Sequence, residues 1–363
     1  MMEHNNITGS ASEAGYRWCA EWEPHEATWI SWPHNTMTWP GLFPAIPRVT
    51  ERMIRILSEV ERVHVLGGPD ASYQQATQQL GDVSNVEIHP IPTNDCWIRD
   101  YGPTFLVSSD GMRLGAVLWK FNAWGGKYLP YDFDAAANNN ICDVLEKCKG
   151  PGSIQRFSSP LIAEGGGLET DGDGTLLTTS SCLLSYTRNP NWSRALVESE
   201  LKRMLSIEKV LWIDGGELAG DDTDSHIDQL VRFIKPGTVV AAVSYNLDDS
   251  NAVKLAAQYQ RLKEVTDARG RALEIIPLVT PPPRYIQGKR VPESYCNFYI
   301  ANELVLVPTF GFRETDDAAL KTLGELFPKR RIVGLDASEF IWGLGAFHCA
   351  TQQQPRSGPA TSS

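Results

Sequence analysis

The stretch "ELVLVPTFGFRETDDAALKTLGELFPKRRIVGLD", residues 303–336, reads as strand, helix, strand. Two short apolar runs, "ELVLVPTF" and "RRIVGLD", enclose "DDAALKTLGELF", whose apolar residues recur at helical spacing. The same order appears elsewhere. "RVHVLG" and "VEIHPIP" bracket the helix-like "ASYQQATQQL", "KVLWID" follows the helical stretch around "SRALVESELKRML", and "ALEIIPLV" follows "AVKLAAQYQRLKEV". Each helix precedes a strand, as in α/β chains. Further strands, "TFLVS", "LGAVLWKF", "TLLTTSS", "LVRFI" and "TVVAAVS", run between these units, more than an alternating parallel sheet requires. The pattern predicts a strand-strand-helix-strand module that recurs without exact sequence repeats.

At 363 residues the chain is long enough for two ordinary domains or one large closed α/β architecture. No low-complexity segment, linker or charge block interrupts 16–355, so that span is expected to form a single domain, with a flexible arm over 1–15 and a flexible tail over 356–363. Apolar content of 42% and charged content of 21% are those of a soluble protein. No apolar run approaches the ~18 residues of a membrane helix. Seven scattered cysteines without a C-x-x-C pair indicate reduced thiols in the cytoplasm and argue against a disulfide framework or a zinc knuckle. A net charge of −11 disfavours nucleic acid and anionic membranes as partners and mildly favours a cationic substrate.

The chemistry-bearing residues cluster where strands stop, the usual place for a rigid scaffold to present them. In "TNDCWIRDYGP" the Gly-Pro turn fixes the backbone that carries Asp100, which either caps the turn or accepts paired N–H bonds from a guanidinium; Trp97 is either core or a stacking surface for a planar cation. In "DSHIDQLVRF", His226 and Asp228 would share one face of a strand, as a structural pair or as acid/base and carboxylate. A metal site would need further histidines at ligand spacing, which the sequence lacks. Glu164 precedes three glycines that turn the chain or approach a ligand, and Asp222 and Asp224 are either solvated acids or amine-binding groups. In "GLGAFHCATQQQP", Cys349 is either a small core residue or a nucleophile. Taken as a set, one thiol, one histidine and several carboxylates suit attack on a guanidinium carbon. Its charge is delocalised, so two carboxylates must orient it toward sulfur, and a positive neighbour must stabilise the thiolate.

Seven ordered blocks extend over nearly the whole chain: "AEWEPHEATWISWPHN", "NDCWIRDYGPTF", "FNAWGGKY", "EGGG…GDGTLLTT", "AGDDTDSHIDQLVRF", "YCNFYIANELVLVPTFG" and "GLGAFHCATQQQP". In these the chain resembles the agmatine deiminases of the guanidine-modifying (pentein) superfamily. The resemblance implies a five-bladed α/β propeller with pseudo-fivefold symmetry, the site at its axis, no metal or organic cofactor, and frequent assembly into homo-oligomers. It implies Cys349 as nucleophile, His226 as acid/base, Asp100 and Asp228 as guanidinium clamps, Glu164 as an acid that contacts the guanidinium or orients the histidine, and Trp97 as a wall of the substrate tunnel. The chain departs from the family pattern at Ser225, where glycine often stands, at Gly167, where serine does, and at "LLSYTRNP", where an Asn-rich turn does.

The activity so implied is hydrolysis of agmatine to N-carbamoylputrescine and ammonia, toward putrescine. Asp222 and Asp224 suit the substrate amine. A related deiminase of peptidyl or free arginine would instead want a basic group at the tunnel mouth, and a non-catalytic pentein binding module would have no use for five polar site residues.

Overall fold

In the computed structural model, which describes residues 9–214 and 218–358, the stretch at 303–336 folds as its periodicity predicts. Strands Leu304–Thr309 and Arg331–Asp336 run parallel, with Leu304 opposite Arg331, and helix Arg313–Leu326 makes the crossover that parallel strands require. The helix starts ahead of its apolar period because Glu314 and Asp316 occupy the first turn, where acids suit the positive end of the dipole. Tyr299–Ile300 adds antiparallel to the free edge of Leu304–Thr309.

Three further sheets repeat this antiparallel-then-parallel order. Glu169–Thr170 pairs antiparallel with Thr175–Thr178, which is parallel to Lys209–Trp212 after helix Arg194–Leu205. Val231–Lys235 pairs with Thr238–Val243, which is parallel to Glu274–Val279 after helix Ala252–Lys263. Thr104–Ser108 pairs with Leu114–Lys120, which is parallel to Ile154–Ile162 after helix Asp132–Lys149; Tyr16–Trp18 extends this sheet. A fifth sheet draws on both ends of the chain. Thr351–Pro355 runs antiparallel to His25–Ser31, which is parallel to Arg62–Leu66, which is parallel in turn to Val86–His89. The repeated module is thus α/β, and its central strands, such as Thr238–Val243, are buried throughout, as strands covered on both faces must be.

The closing strand departs from its sequence appearance. "TQQQP" is a polar tract by composition, yet all five residues are buried. Each amide takes a partner from distant sequence: Gln352 Nε2 donates to Pro103 O (2.9 Å), Arg99 Nη1 donates to Gln353 Oε1 (2.6 Å), and Trp29 Nε1 donates to Gln354 Oε1 (2.9 Å). Of the arm expected over 1–15, residues 1–8 lie outside the described residues; further on, Ala11 is buried and Ser12 N–H donates to Arg203 O at 3.1 Å. Of the tail expected over 356–363, Arg356 N–H donates to Pro24 O at 2.8 Å, and 359–363 lie outside the described residues. All seven cysteines are unpaired, and no described helix is long and apolar enough to cross a membrane.

Removing the amide that receives the Trp29 indole leaves a buried donor alone. Gln354→Ala is expected to lower the free energy of urea unfolding by about 1–3 kcal/mol. Lys321→Ala, at a side chain 80% exposed on helix Arg313–Leu326, should stay within about 0.5 kcal/mol of the parent.

Candidate active site

Four short segments between strands carry the candidate residues to one place. Asp100 lies on a single helical turn, Ile98–Tyr101, that leads into strand Thr104–Ser108 through Gly102 and Pro103. The sequence suggested a loop leaving a strand; the acid instead stands on the turn that enters one. Glu164 follows strand Ile154–Ile162 and precedes a 3-10 turn made of Gly165–Gly167. His226 caps the 3-10 turn Ile227–Gln229, so His226 and Asp228 are not on a strand. Cys349 sits between the 3-10 turn Phe340–Gly343 and the closing strand.

The two residues of the His-x-Asp pair therefore address different partners. His226 Nδ1 lies 3.6 Å from Asp100 Oδ1, and Nε2 lies 3.6 Å from Glu164 Oε2. Asp228 Oδ2 accepts from His348 Nδ1 at 2.7 Å and lies 3.6 Å from Cys349 Sγ. Gly166 makes this convergence possible: a methyl group there would sit 2.6 Å from His226 Nδ1, 2.9 Å from Asp100 Oδ1 and 3.0 Å from Asp228 Oδ2. The Gly166 N–H donates to Asp100 Oδ1 (3.0 Å) and Trp124 Nε1 donates to Asp100 Oδ2 (2.9 Å). Asp228 Oδ1 and both ring nitrogens of His226 have no hydrogen-bond partner among the described residues. They are the polar atoms left for a ligand.

Burial and charge set the titration of the group. Burial raises the Asp100 carboxyl to about 6, with the neighbouring Asp228 and Glu164 adding to the effect of burial against the pull of His226. Burial works against a charged His226, but Asp100 first, then Cys182 and Glu164, override it and raise the imidazole well above its ordinary value. Glu164 resists burial because Arg188 and His226 hold its carboxyl down at about 2, and Asp228 is likewise lowered, against burial, by His348. Burial, followed by the charges of Asp228 and Asp100, pushes the Cys349 thiol well above its ordinary value; Asn297, whose Nδ2 donates to Sγ at 3.2 Å, pulls the other way. The site as it stands holds a thiol, a cationic imidazole and an excess of negative charge.

A cavity of about 410 Å³ reaches this group and is lined by Cys349, Asp100, Trp97, Trp124, Tyr128 and Asp222, among others. Trp97 packs between Trp39 (5.5 Å) and Phe340 (5.7 Å) and presents a wall of the cavity. Asp222 accepts a hydrogen bond from Tyr128, and burial raises its carboxyl. Asp224 does not line the cavity. Its carboxylate is taken by Lys127 (2.8 Å) and by Arg188, which corrects its expected place beside Asp222 at the amine end.

Several residues of the site carried no readable signal of their own. Glu21 accepts from His348 Nε2 at 2.8 Å and from Arg232 Nη2 at 2.8 Å, so His348 is bracketed by Glu21 and Asp228. Arg188 Nε donates to both Glu164 oxygens, at 2.7 and 2.9 Å. Asn297 also accepts from the backbone of His348 (3.1 Å) and Cys349 (3.3 Å). Glu164, Cys182 and His226 bring metal-ligating atoms within 4.8 Å of one another, but the Arg188 guanidinium already occupies the Glu164 lone pairs that a cation would need. The departure at 167 has a local cause, whereas nothing in the structure explains the serine at 225. A methyl group on Gly167 would touch Cys182 Sγ at 3.0 Å, and Ser225 holds a φ of 68°, the left-handed region that favours glycine.

Residues 17–355 match the family model described as Porphyromonas-type peptidyl-arginine deiminase. The chain belongs to that family. A Medicago truncatula protein named agmatine deiminase is 36% identical over 371 residues, covering 94% of this chain and 96% of its own length. Among solved structures, the agmatine deiminase of Enterococcus faecalis superposes with a TM-score of 0.88 at 30% identity, covering 97% of this chain and 99% of that one. A cysteine-to-serine variant of the C. jejuni agmatine deiminase with substrate bound superposes with a TM-score of 0.83 at 28% identity, covering 94% and 97%.

Without Arg188, the buried Glu164 carboxylate would keep only the His226 imidazole, 3.6 Å away, as a cationic partner among the described residues. Arg188→Met is expected to destabilise the protein by about 3–5 kcal/mol in denaturant unfolding at pH 7. Because Glu164 then loses the cation that depresses its carboxyl, the penalty should shrink as pH falls below about 4.5, where the unfolded side chain takes up its proton.

Proposed function

We propose that this protein is an agmatine deiminase that hydrolyses agmatine to N-carbamoylputrescine and ammonia through a thiouronium on Cys349. The observation that carries the reading is the meeting of His226, Asp100 and Asp228 around Gly166, with Cys349 3.6 Å from Asp228, Glu164 3.6 Å from His226, an Asp228 oxygen without a partner among the described residues, and a cavity that reaches Asp100 and Cys349. Relatives named agmatine deiminase support it, as does one solved as a cysteine-to-serine variant with substrate bound.

The charge balance dictates the order of events. Asp228 and Asp100 keep the thiol protonated while they face it alone. A guanidinium seated against both removes that penalty, so substrate binding itself releases the thiol proton and yields the thiolate. Sulfur adds to the guanidinium carbon, His226 gives its proton to the departing nitrogen, and ammonia leaves. The resulting S-alkylthiouronium keeps its positive charge against the two clamps. His226, now neutral, takes one proton from water as the oxygen adds; the C–S bond then breaks as the remaining hydroxyl proton passes to the leaving sulfur, and the neutral ureido product departs from a protonated His226 and the resting thiol. Asp222, raised by burial and held by Tyr128, is the group placed to meet the far amine.

We further propose that the five sheets are blades around a common axis within one unit over 16–355. The shared strand order supports this, as do the fifth sheet built from both chain ends and the span of the family match. The unpaired cysteines suit a reducing, cytoplasmic setting. One observation favours a second reading: Lys289 lines the same cavity, a basic group of the kind that an arginine carboxylate would want.

Incubation with agmatine, free arginine and a peptidyl-arginine, with ammonia and ureido product measured for each, separates the readings; agmatine is expected to give the highest kcat/KM. Cys349→Ala should abolish turnover while remaining folded, and Asp100→Asn and Asp228→Asn should each lose far more rate than stability. Replacement of His226 by Asn should cost about 10²–10⁴ in kcat. Intact-protein mass spectrometry of that variant after acid quench should show one adduct, agmatine less ammonia, mapping to Cys349. An adduct on Cys182 or Cys296 would overturn the assignment.

Binding should also follow the Asp100 carboxyl. With its proton leaving at about 6 in the free protein, the acid is neutral below that pH and must lose the proton before it can pair with a cation. Agmatine is therefore expected to bind Cys349→Ala about tenfold more weakly at pH 5 than at pH 7 by calorimetry. A flat profile would show that Asp100 does not pair with the substrate.

A further inference from the structure

Away from the cavity, strands Arg62–Leu66 and Val86–His89 run parallel, with His64 opposite Glu87 and Leu66 opposite His89. Alternate residues of a strand share a face, so His64, Glu87 and His89 project from the same side of the sheet. His64 Nδ1 lies 2.9 Å from His89 Nε2 and 3.2 Å from Glu87 Oε2, and the three donor atoms all fall within 4.8 Å of one another. Bonds of about 2.0–2.2 Å at tetrahedral angles put neighbouring donors about 3.2–3.6 Å apart, so the ring–carboxylate pair at 3.2 Å is already at ligand spacing and the two rings, at 2.9 Å, need part by only about half an ångström to admit an ion.

We propose that His64, Glu87 and His89 form a binding site for Zn²⁺, with a fourth position left to water. Two imidazoles and one carboxylate are a donor set suited to borderline transition ions rather than to Mg²⁺ or Ca²⁺, which take oxygen ligands. The rings are held before any ion arrives. The Trp29 indole stacks on His64 at 4.2 Å and on His89 at 5.5 Å, and is itself anchored to Gln354. Entry is open: Glu87 is half exposed, and His89 lines a surface cavity of about 420 Å³ shared with Asn140, Asp143 and Lys147. A plain hydrogen bond between the two rings would explain their contact, but not the carboxylate brought to the same nitrogen from the adjacent strand position.

The test is Zn²⁺ binding to the full chain after chelator treatment, read by competition with a chromophoric chelator. Wild type, Glu87→Gln, His89→Gln and Cys349→Ser are compared. The proposal expects one Zn²⁺ per chain in wild type and in Cys349→Ser, at least tenfold weaker binding in Glu87→Gln, and loss in His89→Gln. Zn²⁺ should raise the Tm of wild type and not that of Glu87→Gln, as binding to the folded state requires. Glu87 is half exposed, so its amide variant keeps the fold and decides the matter even if His89→Gln does not fold. Equal affinity in wild type and Glu87→Gln, or binding that disappears only in Cys349→Ser, would overturn the site.

Discussion

A carboxylate taken out of water has to be met by positive charge, and this molecule takes out several at once. Glu21 is held well below the usual range, against burial, by Arg232 and His348; Glu164 is held by Arg188 and His226; Asp228 is held by His348. Asp100 is the exception. Its oxygens receive neutral N–H groups from Gly166 and Trp124, and the one cationic group beside it among the described residues is an imidazole 3.6 Å away. Its deficit, together with the open Asp228 oxygen, is what a planar cation would make good. The site is preorganised for positive charge before any substrate arrives, and fixed charges and dipoles of this kind usually contribute more to catalysis than any other single effect.

The supporting charges are supplied by distant parts of the chain. Glu21 and His348 are separated by 327 residues, and Asn297 and Cys349 by 52. Each pairing joins segments that lie between strands, so the strand order and the electrostatics depend on each other. Displacing the closing strand would move Cys349 together with Gln353, the amide that fixes Arg99, whose guanidinium lies 3.8 Å from Glu21.

This interdependence explains what could be read from the chain. Strand Leu304–Thr309, helix Arg313–Leu326 and strand Arg331–Asp336 were legible because local periodicity dictates them. Cys349, Glu164 and Asp100 were legible because glycines mark the turns beside them. The closing strand was not, because hydropathy scores each glutamine alone, and its burial depends on Pro103, Arg99 and Trp29. The geometry of His226 and Asp228 was misjudged because a two-residue spacing fits both a strand and a 3-10 turn. Arg188 and Glu21 stood in recognisable blocks, but a charge partner more than 20 residues away leaves no mark on local spacing.

The fifth sheet has a consequence for synthesis. Strand His25–Ser31 leaves the ribosome long before its antiparallel partner, Thr351–Pro355. At roughly 5–20 residues per second, the intervening chain takes about 15–65 s to appear. Throughout that interval one edge of His25–Ser31 has its backbone groups unpaired and open to strands of other nascent chains. The nucleophile candidate emerges just before the strand that covers this edge, so the candidate thiol and the edge protection are completed together.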